Sequence, residues 1–178
     1  LLAYYPYSGN GGDSSGNGNH ASVNGPVPTA DRWGNANKAY YFNGTTDWIE
    51  SSVKNLPIGN GTRSFSFWAK QTAIPIAAIP SAVFHYGKIN LNQRFTCYYA
   101  FTVPAVVAER NDACYICNGS LIGTNIGDIF NKWSHVVITH DGSLMKCYVN
   151  GVLYFSSYKT YDTQPSILIV GRTFAGYN

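Results

Sequence analysis

The densest set of oxygen donors in the chain is Asp13-Ser-Ser-Gly-Asn-Gly-Asn19, which offers one carboxylate, two side-chain amides and several unhindered backbone carbonyls. Calcium takes about six to eight such oxygens, often from a flexible glycine-rich loop. Asp13, Asn17 and Asn19 are therefore candidate ligands of a structural Ca2+. The same composition suits a loop closed by its own Asx turns, and that alternative stays open. Catalytic chemistry has less to draw on. His20, His85, His135 and His140 are scattered, and none forms an i,i+4 pair around a Glu. His135 and His140 are five residues apart, which puts them on opposite faces of a strand. A serine elbow and a phosphate-binding Gly-Lys-Ser/Thr are both missing.

Four cysteines, Cys97, Cys114, Cys117 and Cys147, form an even set compatible with disulfides or with buried free thiols. Cys97 and Cys147 are placed to meet inside a sandwich, and Cys114 and Cys117 to pair locally near a turn. Three connectivities exist in all and none is singled out. Cys114-Tyr-Ile-Cys117 has the spacing of half a zinc site, but no second pair completes it.

The elements that position these groups read as strands. Ser64–Lys70 and Arg94–Val103 alternate, and His135–His140 is a compact β-branched run. Asp141-Gly142 and Asn150-Gly151 are hairpin dipeptides, so Trp133–Phe155 reads as a three-strand meander. Leu2–Tyr7 reads as a short first strand. Pro75 and Pro80 remove ladder donors and make Ala73–Pro80 an insertion loop, a candidate contact surface or a cover for one end of the core. No linker or repeat divides the 178 residues, which suit one domain, 1–178, with a sizeable core.

Charged residues are only 12% of the chain and aromatics 15%, so Asn, Ser, Thr, Tyr and Gly must wet the surface. That composition fits an extracellular or glycan-facing protein. A net charge of +3 without a basic run leaves no electrostatic footprint for nucleic acid. No apolar stretch approaches the roughly 20 residues of a membrane span, and the first residues lack the basic flank of a signal peptide, so the chain reads as mature or trimmed.

Leu2–Tyr7, Asp13–Asn19, Arg32-Trp-Gly-Asn-Ala36, Phe42-Asn-Gly44, Tyr148–Gly151 and Ile169–Arg172 occur in this order. Together they resemble the laminin-G-like branch of the concanavalin A-like lectin and glucanase superfamily, in its bacterial secreted form. The resemblance is strongest in the N-terminal half and weakest between Gln71 and Asn131.

It implies an all-β, two-sheet antiparallel jelly roll. It also implies a non-catalytic extracellular module for adhesion or carbohydrate recognition, secreted or on a cell surface, with a glycan or surface protein as partner. Sugars stack on exposed aromatic planes beside amides, which nominates Trp68, Tyr86, Tyr98 and Tyr115, with Trp48 behind them; each is equally a core aromatic. Alternation puts Phe95, Cys97 and Tyr99 on one face and Tyr98 on the other, so Tyr98 is exposed if the first set is core. Hydrolysis needs paired carboxylates, and neither Glu50 nor Glu109 has an acidic residue at i+2 or i+4. Relatives of this kind add a closing strand with an Asp-Asp-x-Arg pattern, which is missing here before Asn178. Either the closing strand lies beyond Asn178, or the first strand is an edge for a segment from a neighbour, and a homo-polymer of head-to-tail subunits is the alternative function. Sequons at Asn43, Asn60 and Asn118 carry little weight in a bacterial chain.

Overall fold

A computed structural model describes residues 1–73, 81–100, 113–117 and 129–172. The fold is all-β, and the described residues form twelve strands: β1 (Ser22–Asn24), β2 (Val27–Thr29), β3 (Ala39–Tyr41), β4 (Trp48–Ser51), β5 (Arg63–Ala69), β6 (Ser81–Gly87), β7 (Arg94–Ala100), β8 (Ala113–Cys117), β9 (Ser134–His140), β10 (Leu144–Val149), β11 (Val152–Tyr158) and β12 (Leu168–Val170). One sheet has six strands in the order β1-β4-β12-β6-β7-β8, a second has four in the order β11-β10-β9-β5, and β2 and β3 form a hairpin. Every pairing is antiparallel except β7 with β8, which run parallel. The expected meander is present as β9–β10–β11. Its second turn has positive φ at both Asn150 and Gly151, the geometry that suits the twist of a two-residue hairpin.

Alternation explains the core. Phe84, Tyr86, Phe95, Cys97 and Tyr99 of the larger sheet meet Val136, Ile138, Met145, Cys147 and Val149 of the smaller one. Phe65 stacks on Phe84 at 4.3 Å between ring centroids and lies 5.7 Å from Phe95. Burying each such side chain is worth about 1.5–3 kcal/mol. Cys97 and Cys147 are fully buried, one from each sheet, and no disulfide joins them to each other. They act as small apolar side chains in a core large enough to need no staple. Register sets Cys114 opposite Cys97 across β7–β8; the side chains of Cys114 and Cys117 lie outside the described residues, as do Ile74–Pro80 of the expected insertion.

A buried cation closes one end of the sandwich. Arg63, 5% exposed, donates from Nη1 to the Tyr86 hydroxyl at 2.7 Å and to Thr163 Oγ1 at 2.8 Å. Nη2 reaches the Gly59 carbonyl and Nε the Gly61 carbonyl. The rings of Tyr86, Phe95 and Tyr161 surround its guanidinium at 5.3–5.8 Å. Neutral acceptors and ring faces thus replace the water that burial removes.

The N-terminal segment departs from expectation. Leu2–Tyr7 joins no sheet, because the Asp13 loop takes up its backbone groups. Tyr4 N donates to Asp13 Oδ1 and Ser14 N to the Tyr4 carbonyl. The Leu2 carbonyl accepts from Asn17 and Asn19 amides. Tyr5 anchors the segment, its hydroxyl donating to Asn19 O at 2.6 Å and lying 2.8 Å from Ser51 Oγ. These bonds occupy the Leu2 carbonyl and both backbone groups of Tyr4. Farther along, the Phe42-Asn-Gly44 and Gly171-Arg172 motifs prove to be one packing unit. A Cβ on Gly171, whose φ is +85°, would fall inside the Phe42 ring.

Candidate functional site

On the outer face of the four-stranded sheet, β5 presents Ser64, Ser66 and Trp68 while its alternate residues face inward. β9 presents His135, Val137 and Thr139, with Ser134, Val136, Ile138 and His140 buried. His135 and His140 therefore do lie on opposite faces. Register places Trp68 directly across from His135, and the two rings stack at 5.1 Å with 23° between planes. His135 Nε2 is 2.8 Å from Ser66 Oγ. Its backbone N–H donates to Asn150 Oδ1 at 2.9 Å, which fixes the histidine from the neighbouring hairpin turn.

The loop between β2 and β3 adds the rest. Asp31 Oδ1 accepts from Trp33 N and Asn35 N, both at 2.9 Å, and Oδ2 accepts from Asn35 Nδ2 at 3.1 Å. Partial burial acts to raise the Asp31 pKa, but these hydrogen bonds and the Arg32 charge hold it below the usual carboxylate value. So pinned, the loop lays the Arg32 guanidinium 3.5 Å from the Trp33 ring centroid and 4.2 Å from that of Trp68. Trp33 is 70% exposed and Trp68 43%. Two indoles, one guanidinium and one imidazole thus form a continuous exposed platform with Ser66 at its edge.

Trp68 is the one sugar-stacking candidate from the sequence that reaches this surface. Tyr86 is 1% exposed, its hydroxyl donating to the Pro57 carbonyl and accepting from Arg63; β6 alternation turns it inward. Burial pushes its pKa up to about 12 despite the Arg63 charge. Tyr98 does lie opposite the core set, yet it is 7% exposed and clusters with Ala82, its register partner on β6. The expectation of an exposed Tyr98 fails because that face is itself covered. The Tyr115 side chain lies outside the described residues. Trp48 is half-buried, donates from Nε1 to Glu50 Oε2 at 3.1 Å and carries the Arg172 guanidinium 4.6 Å from its centroid. Arg32, Trp33 and His135 were not read as site residues. The signal for the first two was an arginine and a tryptophan held between Asp31 and Asn35, which is turn chemistry rather than core patterning.

Hydrogen bonds within the loop and from the N-terminal segment take up the Asp13 oxygens. Oδ1 accepts from Tyr4 N and Ser15 N, Oδ2 from Ser15 Oγ and Asn19 N. Asn19 Oδ1 accepts from Lys54 N. The amides of Asn17 and Asn19 are turned toward carbonyls as donors. These oxygens face N–H and O–H donors, the pattern of a loop closed by Asx turns. The same hydrogen bonds, that from Tyr4 foremost, hold the Asp13 pKa far below the usual range.

The other described acids are also engaged in local structure. Asp47 accepts from Asn43 N. Asp141 accepts from Leu144 N and Ser143 N, which lower its pKa. Glu50 accepts from Trp48 and has Ser22 and Ile169 as register partners, neither of them acidic. Among the described residues no group of three or more His, Cys, Asp or Glu converges.

A laminin G family model, described as the Concanavalin A-like lectin/glucanases superfamily, matches residues 43–178. No curated protein matches the sequence. Among solved structures, domain 4 of AbnA, a GH43 extracellular arabinanase from Geobacillus stearothermophilus in complex with arabinotriose, superposes with a TM-score of 0.60 at 16% identity, covering 96% of this chain and 82% of that one. A mutant of HCR/D gives a TM-score of 0.54 at 19% identity over 89% of this chain and 40% of that one. These likenesses are of fold.

Proposed function

Because the chain belongs to the concanavalin A-like lectin/glucanase superfamily, we propose that it is a non-catalytic carbohydrate-recognition module working outside the cell, within a larger surface assembly. The observation that carries the reading is the Trp33–Arg32–Trp68–His135 platform. Exposed indoles offer apolar planes to sugar rings, while Ser66, His135 and the loop backbone offer hydrogen-bonding edges. Asp31 fixes the loop in advance, which reduces the ordering cost of binding. The fold neighbour bound to arabinotriose is compatible with this use of the scaffold. The low charge content supports an extracellular setting.

A non-catalytic role is supported by the state of three of the described aspartates. A general acid needs a raised pKa, whereas Asp13, Asp31 and Asp141 are all lowered.

Affinity electrophoresis through gels containing arabinan, xylan, mannan or β-glucan tests the reading. At least one polysaccharide should retard the protein, and Trp33→Ala and Trp68→Ala should each weaken binding about tenfold or more, equivalent to about 1.4 kcal/mol. Circular dichroism should be unchanged. Migration unaffected by every polysaccharide, or retardation insensitive to both substitutions, would reject the platform as a glycan site.

A further inference from the structure

We infer that the platform selects acidic sugar units, those bearing a carboxylate or a sulfate ester, with Arg32 as the specificity-determining residue. This rests on the glycan-binding reading and goes one step further.

Both indoles share the Arg32 cation, with its guanidinium carbon within 4.2 Å of each ring centroid. Ring contacts use the faces of the planar guanidinium and leave its N–H donors pointing outward in the plane. None of those donors makes a hydrogen bond or ion pair among the described residues. The adjacent acid, Asp31, has both oxygens occupied by Trp33 and Asn35. Arg32 is thus oriented, partly desolvated and unpaired at its edge. That edge matches the two oxygens of a carboxylate, or two of a sulfate, in a bidentate contact. Trp33, 70% exposed, supplies the plane for the ring that carries the acid. Lys70, two residues beyond Trp68 on the same face, lies 5.8 Å over the Trp133 ring and adds a second positive charge on this side. A loop clamp alone would need the cation and the rings, but not an open donor edge.

The test uses matched polymers that differ only in charge: polygalacturonate against its full methyl ester for the carboxylate, and κ-carrageenan against its desulfated form for the sulfate. Isothermal titration should show at least tenfold tighter binding to the charged member of one pair or both. Which pair responds identifies the group. Arg32→Gln should remove the preference, and Arg32→Lys should restore only part of it, because an ammonium cannot form the fork. Trp33→Ala should weaken binding to both members of a pair equally. Equal affinity for charged and uncharged members, or a preference that survives Arg32→Gln, overturns the inference. If neutral glycans still bind in a tryptophan-dependent manner, such a result leaves the glycan reading standing. Absence of binding to all four polymers and to neutral glycans rejects both. Arg32→Gln is checked for an unchanged melting temperature, and if it unfolds, Arg32→Lys carries the comparison.

Discussion

His85 lies on the outer side of β6, in register with Thr96 of β7 and Ile169 of β12, and is 2% exposed. Burial, then the Arg94 charge, depress its pKa to about 4, against an opposing hydrogen bond with the Arg172 backbone. A histidine with a folded pKa below its unfolded value of about 6.5 binds its proton preferentially in the unfolded chain. Stability is therefore complete above about pH 6.5 and falls as pH drops through about 4. A shift of this size is worth on the order of 3 kcal/mol. The melting temperature should decline from pH 7 to pH 4, and His85→Asn should flatten that decline; parallel profiles would assign the acid sensitivity elsewhere. The buried thiols make a second prediction at this scale. Cys97 and Cys147 should resist iodoacetamide in the native protein and become alkylated in guanidinium, as read by peptide mass spectrometry. Recovery of a Cys97–Cys147 cross-linked peptide from non-reduced protein would contradict the absence of a bond between them.

Among the elements, the loops lean on aspartates, since Asp13, Asp31 and Asp47 each accept backbone N–H groups. Asp13→Ala should lower the melting temperature and free the N-terminal segment to proteolysis, because it removes the acceptor for Tyr4, Ser15 and Asn19. Chelator should leave the wild-type melting curve unchanged. A fall in melting temperature with chelator that calcium restores would reinstate Asp13, Asn17 and Asn19 as ligands. The strands themselves were readable because alternation is strict where one face is core, as in Arg63–Ala69 and Ser134–His140. Leu2–Tyr7 misled for a physical reason: its apolar and aromatic residues fit a strand, but side chains 13–19 compete for its backbone. Tyr98 misled because period 2 gives the face and not what covers it. The platform was legible only at Trp68, since a cation shared between a loop and a strand leaves no periodic trace.

For the whole molecule, opposed layers of buried side chains carry stability, so Ile138→Ala, at a fully buried position facing the other sheet, should cost about 2–5 kcal/mol in denaturant titration. The scaffold is not expected to hydrolyse what it holds. No reducing ends should appear above a heat-killed control with β-glucans or agarans; release abolished by Glu50→Gln would disprove that. Arg63 has one more consequence, in time rather than in energy. Its Nη1 joins Tyr86 to Thr163, and Thr163 is 100 positions away from Arg63 along the chain. Such a contact cannot close until the intervening strands have assembled, and topologies rich in distant pairings fold in about milliseconds to seconds. A late contact is absent from the rate-limiting transition state, so its loss speeds unfolding and leaves refolding nearly untouched. Arg63 is then a latch on the finished sandwich, setting how long the folded domain persists before it opens.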